Sequence, residues 1–328
     1  MPTVLIGPSH LRGQPGPFRT ILEAGGFTVI DPDGHPALNE AELKRYLPET
    51  DAILCGGEVL TPAMFDLARR LRVVARVGVG FDAVDLPAAT RHKVPVTITP
   101  GTNQGSVAEQ TFSLLFAISR NIIFDDADVR DCRWTRPLPM PIRGKTLGIV
   151  GLGRIGKAVA IRARAFEMNV IACDDVPDHP FDAAHQITRV SLDELYAQAD
   201  IVSLHCPMLE STVGMINKTS LARMKPGVIL LNTARGGLVI EQDLREALDS
   251  GHVRSAGLDV LNQEPPTPGS SPLLDASNVV FSPHIGGIDT KGMEDMAALA
   301  ARCIVDLHQG RWPADCVVNS ALGPNWTW

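Results

Sequence analysis

Three short segments in the second half of the chain place ionisable side chains directly behind apolar runs. Residues 232–237 (NTARGG) carry Arg235, residues 258–266 (LDVLNQEPP) carry Asp259 and Glu264, and residues 282–287 (SPHIGG) carry His284. In a parallel α/β sheet all three segments fall at the carboxyl ends of strands, where ligands bind. The chemistry such a set allows is hydride transfer to a carbonyl. An imidazolium can protonate the developing alkoxide, a guanidinium can polarise the carbonyl and grip a carboxylate, and a carboxylate can keep the imidazole charged and oriented. His284, Arg235 and Glu264 fit those roles in that order. Each also has a blander reading, as a satisfied histidine, a surface cation and a solvated turn residue beside Pro265 and Pro266. Spacing alone does not separate the two.

A second constellation lies upstream. Residues 145–175 read KTLGIVGLGRIGKAVAIRARAFEMNVIACDD, an apolar strand, a glycine loop, an alanine-rich helix and a second apolar strand ending in Asp174. Gly151 permits the tight strand-to-helix turn, Gly153 leaves room for a pyrophosphate, and Gly156 lets helix pack on strand. The helix start, with Arg154 and Ile155, offers N–H groups to phosphates. The strand before, the helix after and the acid at the end of the next strand complete a dinucleotide-binding fingerprint. Asp174 suits two ribose hydroxyls and repels a 2′-phosphate, so the expected cofactor is NAD. An earlier cluster, Gly78-Val79-Gly80 behind Arg76 and Val77, lacks the third glycine. It reads either as a turn whose N–H groups hold a carboxylate or as a plain strand-end turn.

The elements that must position these groups alternate along the whole chain. Strands are expected at 3–7, 27–32, 52–57, 73–78 and 94–100, then at 146–151, 169–174, 201–206, 227–232, 255–260 and 278–283. A helical pattern over 105–122 separates the two series, a charged, proline-rich stretch over 123–144 reads as loop, and a last amphipathic helix covers about 290–309. Thr61 before Pro62 looks like a helix start. Such alternation predicts an α/β protein with parallel sheets. With 328 residues, two domains are the default.

Bulk properties exclude other classes. A net charge of −7 without a basic run argues against nucleic-acid or anionic-membrane binding. No apolar run is long enough for a membrane span. The start of the chain lacks a signal-peptide pattern. Cys55, Cys132, Cys173, Cys206, Cys303 and Cys316 show no metal or redox spacing and read as small hydrophobes in a reducing, cytoplasmic setting. No metal is expected.

From about Val73 to His284 the chain resembles the D-isomer-specific 2-hydroxyacid dehydrogenases. The resemblance rests on VGVGFDAVDLPAA, TPGTNQGSVAEQT, GKTLGIVGLGRIG, DIVSLHCP, MKPGVILLNTARGG, AGLDV, EPP and SPHIGG. It implies two doubly wound parallel-sheet domains: a Rossmann NAD domain over 102–287 and a flavodoxin-like, discontinuous substrate domain over 1–101 and 288–328. It implies catalytic roles for Arg235, Glu264 and His284. Val77, Gly78 and Val79 become the substrate-carboxylate loop, with Arg76 beside it, and Asp259 becomes the partner of the nicotinamide carboxamide. Further cofactor contacts are expected at Cys206, Pro207 and Thr233. A long helix starting near Asn103 and a homodimer built on the cofactor domains are also implied, with Trp134 in the dimer-side stretch.

The resemblance leaves the acid open among small 2-keto and 2-hydroxy acids, with D-3-phosphoglycerate as an alternative substrate. Glu264 stands where formate dehydrogenases carry glutamine, which argues against formate. Phosphite and a non-enzymatic NAD(H)-sensing role are the remaining rivals. Glu58, near the end of the third strand, opposes a phosphate, so glyoxylate, hydroxypyruvate or a similar acid is favoured over 3-phosphohydroxypyruvate. Arg133 and Arg136 are the possible cations from a dimer partner.

Overall fold

A computed structural model describes residues 1–33 and 38–328. The chain divides into two units: residues 1–103 with 289–328, and residues 104–288. The divisions lie one or two residues from the expected 101/102 and 287/288.

The first unit is built on β1 (Thr3–Ile6), α1 (Pro17–Ala24), β2 (Thr28–Ile30), α2 (Glu40–Tyr46), β3 (Ala52–Cys55), α3 (Pro62–Leu67), β4 (Val73–Arg76), α4 (Leu86–Arg91) and β5 (Val96–Thr97). Its strands pair in parallel in the order β2-β1-β3-β4-β5, the flavodoxin-like arrangement. Helices cover both faces, so β3 is buried at every position and reads as one apolar run, AILC.

The second unit opens with α5 (Gln104–Ser119) and α6 (Ile122–Arg130). It continues through β6 (Thr146–Val150), α7 (Arg154–Ala165), β7 (Asn169–Cys173), α8 (His179–His185), β8 (Ile187–Arg189), α9 (Leu192–Gln198) and β9 (Ile201–Leu204). It closes with α10 (Lys218–Arg223), β10 (Val228–Asn232), α11 (Glu241–Asp249), β11 (Val253–Leu258) and β12 (Val279–Phe281). The sheet order is β12-β11-β10-β9-β6-β7-β8, all parallel, a Rossmann order extended by one strand. The order reverses between β6 and β9, so their carboxyl ends flank the ligand crevice. One core packs α5 and α7 against the sheet, and another packs α9, α10 and α11 on the opposite face.

Three features depart from the sequence reading. The stretch expected to be loop over 123–144 contains α6, set off from α5 by Asn121 in the left-handed region (φ 57°). No residue of α6 is buried, so it carries no apolar periodicity to read. The strand β8 (ITR) was not expected, because a three-residue run is below the length that shows alternation. Cys132 is exposed, unlike the buried thiols expected of the set.

The helix α12 (Thr290–His308) returns to the first unit, and its apolar stripe joins α1 and the sheet in one core. The tail, unreadable from its sequence, packs there too. Val318 N–H donates to Val96 O at 2.8 Å, and Trp326 Nε1 donates to Lys93 O at 2.7 Å. Trp328 meets Phe27 and His308 edge-on, with ring centroids 5.7 and 4.7 Å apart.

Candidate active site

The glycine loop follows β6. Gly151 has φ 93°, and a Cβ there would lie 2.7 Å from Cys206 N, so only glycine fits. A Cβ on Gly156 would sit 2.1 Å from Gly151 O, which fixes the close approach of α7 to the loop. Gly153 caps α7, and a Cβ there would meet nothing within 4 Å, so the notch beside its backbone is open. Arg154 and Ile155 form the first turn of α7, whose leading N–H groups have no partner within the helix. The carboxylate of Asp174 stands beside this loop, accepting from Leu152 N–H at 2.6 Å and from Val176 N–H at 2.7 Å. An open notch, an N-terminal helix turn and a fixed carboxylate fit a dinucleotide with free ribose hydroxyls.

Across the crevice, β9 is followed by His205, Cys206 and Pro207. Cys206 Sγ lies 3.7 Å from Met215 Sδ, and burial pushes its thiol up to about 11. His205 was not singled out from the sequence. Its ring hydrogen-bonds Ser203 Oγ at 2.8 Å, and burial pushes it down to about 3, so it is neutral. Thr233 is buried at the end of β10, with its hydroxyl 3.1 Å from that of Thr111.

The ionisable set converges at the far end of the sheet. His284 Nδ1 and Glu264 Oε2 are 2.5 Å apart, while the other Glu264 oxygen accepts from Leu261 N–H at 2.8 Å. Burial disfavours the Glu264 charge, but the hydrogen bond and charge of His284, the Leu261 N–H and the Arg235 guanidinium outweigh it, and the carboxyl lies below its ordinary value. Glu264 is therefore ionised wherever an imidazole titrates. The Arg235 backbone is held by Asn232 Nδ2, which donates to its carbonyl at 2.8 Å. His284 is 48% exposed and adopts φ 52°, a rare conformation for a non-glycine residue.

Asp259 explains how that conformation is held. It is 2% exposed, and its carboxylate accepts from Ser282 Oγ (2.5 Å), Ile285 N–H (3.0 Å) and Gly286 N–H (2.7 Å). Its backbone carbonyl takes the His284 N–H at 2.8 Å. Asp259 thus clasps both sides of the loop that carries the imidazole.

The remaining candidates lie in the first unit, behind β4. Gly78 exchanges two hydrogen bonds with Thr99, each 3.0 Å, and Val77 N–H donates to Cys55 O at 2.8 Å. Arg76 turns its guanidinium onto backbone: Nε donates to Gly80 O at 2.9 Å, and Nη1 donates to Gly56 O. Glu58, 2% exposed, accepts from Gly56 N–H at 2.5 Å. No metal-ligating cluster occurs among the described residues.

Residues 112–286 match the family model described as D-isomer specific 2-hydroxyacid dehydrogenase, NAD binding domain. The chain belongs to the D-isomer specific 2-hydroxyacid dehydrogenase family. It is 42% identical over 295 residues to D-3-phosphoglycerate dehydrogenase of Mycobacterium leprae, which covers 87% of this chain but 56% of that relative's length. Among solved structures it is similar to a protein of Thermus thermophilus (TM-score 0.86, 37% identity, covering 96% of this chain and 99% of that one). It is also similar to a glyoxylate reductase from Paecilomyes thermophila (TM-score 0.83, 28% identity, covering 98% of this chain and 99% of that one). As in the family, residues 112–286 form the NAD-binding domain.

Proposed function

We propose that the protein is an NAD-dependent oxidoreductase that interconverts a small 2-keto acid and its D-2-hydroxy acid. The observation that carries this reading is the Glu264–His284 hydrogen bond of 2.5 Å, in the same unit as the glycine loop and Asp174. When bound, nicotinamide supplies or accepts the hydride. His284 Nε2 gives a proton to the keto oxygen in reduction and takes it back in oxidation. Glu264 stays ionised, holds Nδ1 and stabilises the charged imidazole. Arg235 pairs with the substrate carboxylate and polarises the carbonyl. With the Val77 and Gly78 N–H groups held by Cys55 and Thr99, the Val79 and Gly80 N–H groups offer a second, backbone-built anion site. Asp259 is a positioning residue for His284, and its expected contact with the nicotinamide carboxamide is part of this proposal. So are the cofactor contacts at Cys206, Pro207 and Thr233.

The substrate is an unphosphorylated acid such as glyoxylate or hydroxypyruvate. A phosphate needs available cations. Arg76 is committed to backbone carbonyls, Glu58 is buried beside it, and Arg133 pairs with Asp128 at 2.6 Å. A second reading, D-3-phosphoglycerate dehydrogenase, is favoured by the 42% identical relative. NADH oxidation with a panel of 2-keto acids at fixed salt decides. We expect kcat/KM for hydroxypyruvate to exceed that for 3-phosphohydroxypyruvate; the reverse installs the second reading. No oxidation with any keto acid, alongside NADH binding, makes the chain a sensor.

The proposed assembly is a homodimer through the cofactor units. The surface of α6 and the following segment exposes Ile122, Ile123, Val129 and Trp134, the last at 71%. Exposed apolar side chains of this kind support an interface there. No helix among the described residues is long and apolar enough to cross a membrane, and the free thiols suit a cytoplasmic setting.

A further inference from the structure

Two cations, Lys157 and Arg189, stand beside Asp178, four residues after Asp174, and each is taken by a carboxylate. Lys157, on the second turn of α7, pairs with Asp178, the residue that caps α8. Arg189, at the end of β8, donates from Nε to Asp182 at 2.9 Å and from Nη1 to the backbone carbonyl of Asp174 at 3.5 Å. The Arg189–Asp182 pair is mostly buried, with side-chain exposures of 21% and 9%. One atom on each side of it, Arg189 Nη2 and Asp182 Oδ1, is buried without a hydrogen-bond partner. Asp174 and Asp175 add further negative charge to the same strand end. The carboxylates of this cluster outnumber its cations, although Lys157 and Arg189 alone would make a favourable phosphate site.

We propose that Asp178 and Asp182 are specificity-determining residues that withhold Lys157 and Arg189 from a 2′-phosphate, making a second barrier to NADP behind Asp174. The inference rests on the NAD-binding reading of this unit and extends it from one residue to a network. A dinucleotide with free ribose hydroxyls needs only an acceptor, which Asp174 provides. A 2′-phosphorylated one needs a cation. Removing Asp174 alone eliminates the repulsion but supplies no attraction, since both cations are still paired.

The test is binding of NADH and NADPH to the full chain without substrate, followed by nicotinamide fluorescence at low and high salt. Asp174→Asn is compared with Asp174→Asn/Asp178→Asn and Asp174→Asn/Asp182→Asn. Each double variant should bind NADPH about five- to tenfold more tightly than Asp174→Asn, a gain typical of freeing one partly exposed charge. The gain should shrink at high salt, where exposed charges are screened, and NADH affinity should stay within about twofold of the single variant. Adding Lys157→Gln to the Asp178→Asn pair should cancel its gain. Double variants that bind NADPH no better than Asp174→Asn, with NADH affinity and Tm retained, overturn the proposal. If Asp182→Asn lowers Tm, the Asp178→Asn arm decides, because asparagine keeps the helix cap. Wild-type protein that binds neither dinucleotide overturns the NAD reading itself, and this proposal with it.

Discussion

The two parallel sheets use their carboxyl ends in opposite ways. In the 104–288 unit, backbone is locked and side chains are presented. Asp259 and Asn232 tie down the loops, Gly151 and Gly156 pack without Cβ atoms, and His284 and Glu264 project from the loops so held. In the unit formed by 1–103 and 289–328 the arrangement inverts. The ionisable side chains Arg76 and Glu58 turn inward onto backbone groups, and the proposed recognition surface of the loop after β4 is its Val79 and Gly80 N–H groups. Proton transfer needs a titratable side chain at a fixed point, whereas gripping a carboxylate needs only oriented donors. The contrast predicts a division of labour: substitutions in the first region should act on kcat, and those in the second on KM.

The largest effect should come from His284→Ala. Loss of a general acid lowers kcat by ~10²–10⁴-fold. NADH affinity, measured by fluorescence, should remain close to that of the parent. A fall of less than tenfold would mean that another group transfers the proton.

Arg235→Gln comes next. It removes charge-assisted hydrogen bonds to the substrate and should reduce kcat/KM by about 10²-fold. Because the guanidinium also stabilises ionised Glu264, part of the loss should appear in kcat. A pure KM effect would place Arg235 in the recognition class and blur the division.

Glu264→Gln should act more mildly. The carboxyl lies below its ordinary value, so Glu264 is an anion throughout the neutral range. Glutamine keeps a hydrogen-bonding side chain beside His284 Nδ1 but removes that negative charge. In the proposed reduction kcat should therefore fall by about tenfold, less than for His284→Ala. A loss as large as that of His284→Ala would show that the proton transfer depends wholly on the carboxylate.

The region that presents side chains was also the more legible in sequence. The G-x-G-x-x-G run with Asp174, and the three strand-end motifs, name residue types whose chemistry is specific. Even so, spacing could not show that Glu264 and His284 meet, since they are twenty residues apart and joined only by the fold. It could not show that Asp259 clasps the His284 loop, because that bond runs between two strand ends. Arg76 and Glu58 were legible as charges but not as inward-turned ones, because whether a cation faces a ligand or a carbonyl depends on tertiary packing. The helix α6 and strand β8 were missed for lack of a buried face and of length respectively.

The smallest effect is expected at Arg76, and it tests the division most sharply. The side chain reaches two carbonyls, Gly80 O and Gly56 O, which lie on the loops after β4 and β3. It therefore braces the 77–80 loop against its neighbour. Arg76→Met keeps the apolar stem and removes both bonds. The loop then samples other geometries, and its N–H groups are oriented only part of the time. Substrate binding weakens in proportion, so KM for the keto acid should rise by about fivefold, the net scale of one ordinary hydrogen bond. Once substrate is bound the loop is ordered again, so kcat should stay within about twofold. Arg76→Lys can satisfy one carbonyl and should restore part of the loss. A kcat decrease comparable to that of His284→Ala, with KM unchanged, would put Arg76 among the groups that act on the transition state, and the separation of chemistry from recognition between the two sheets would fail.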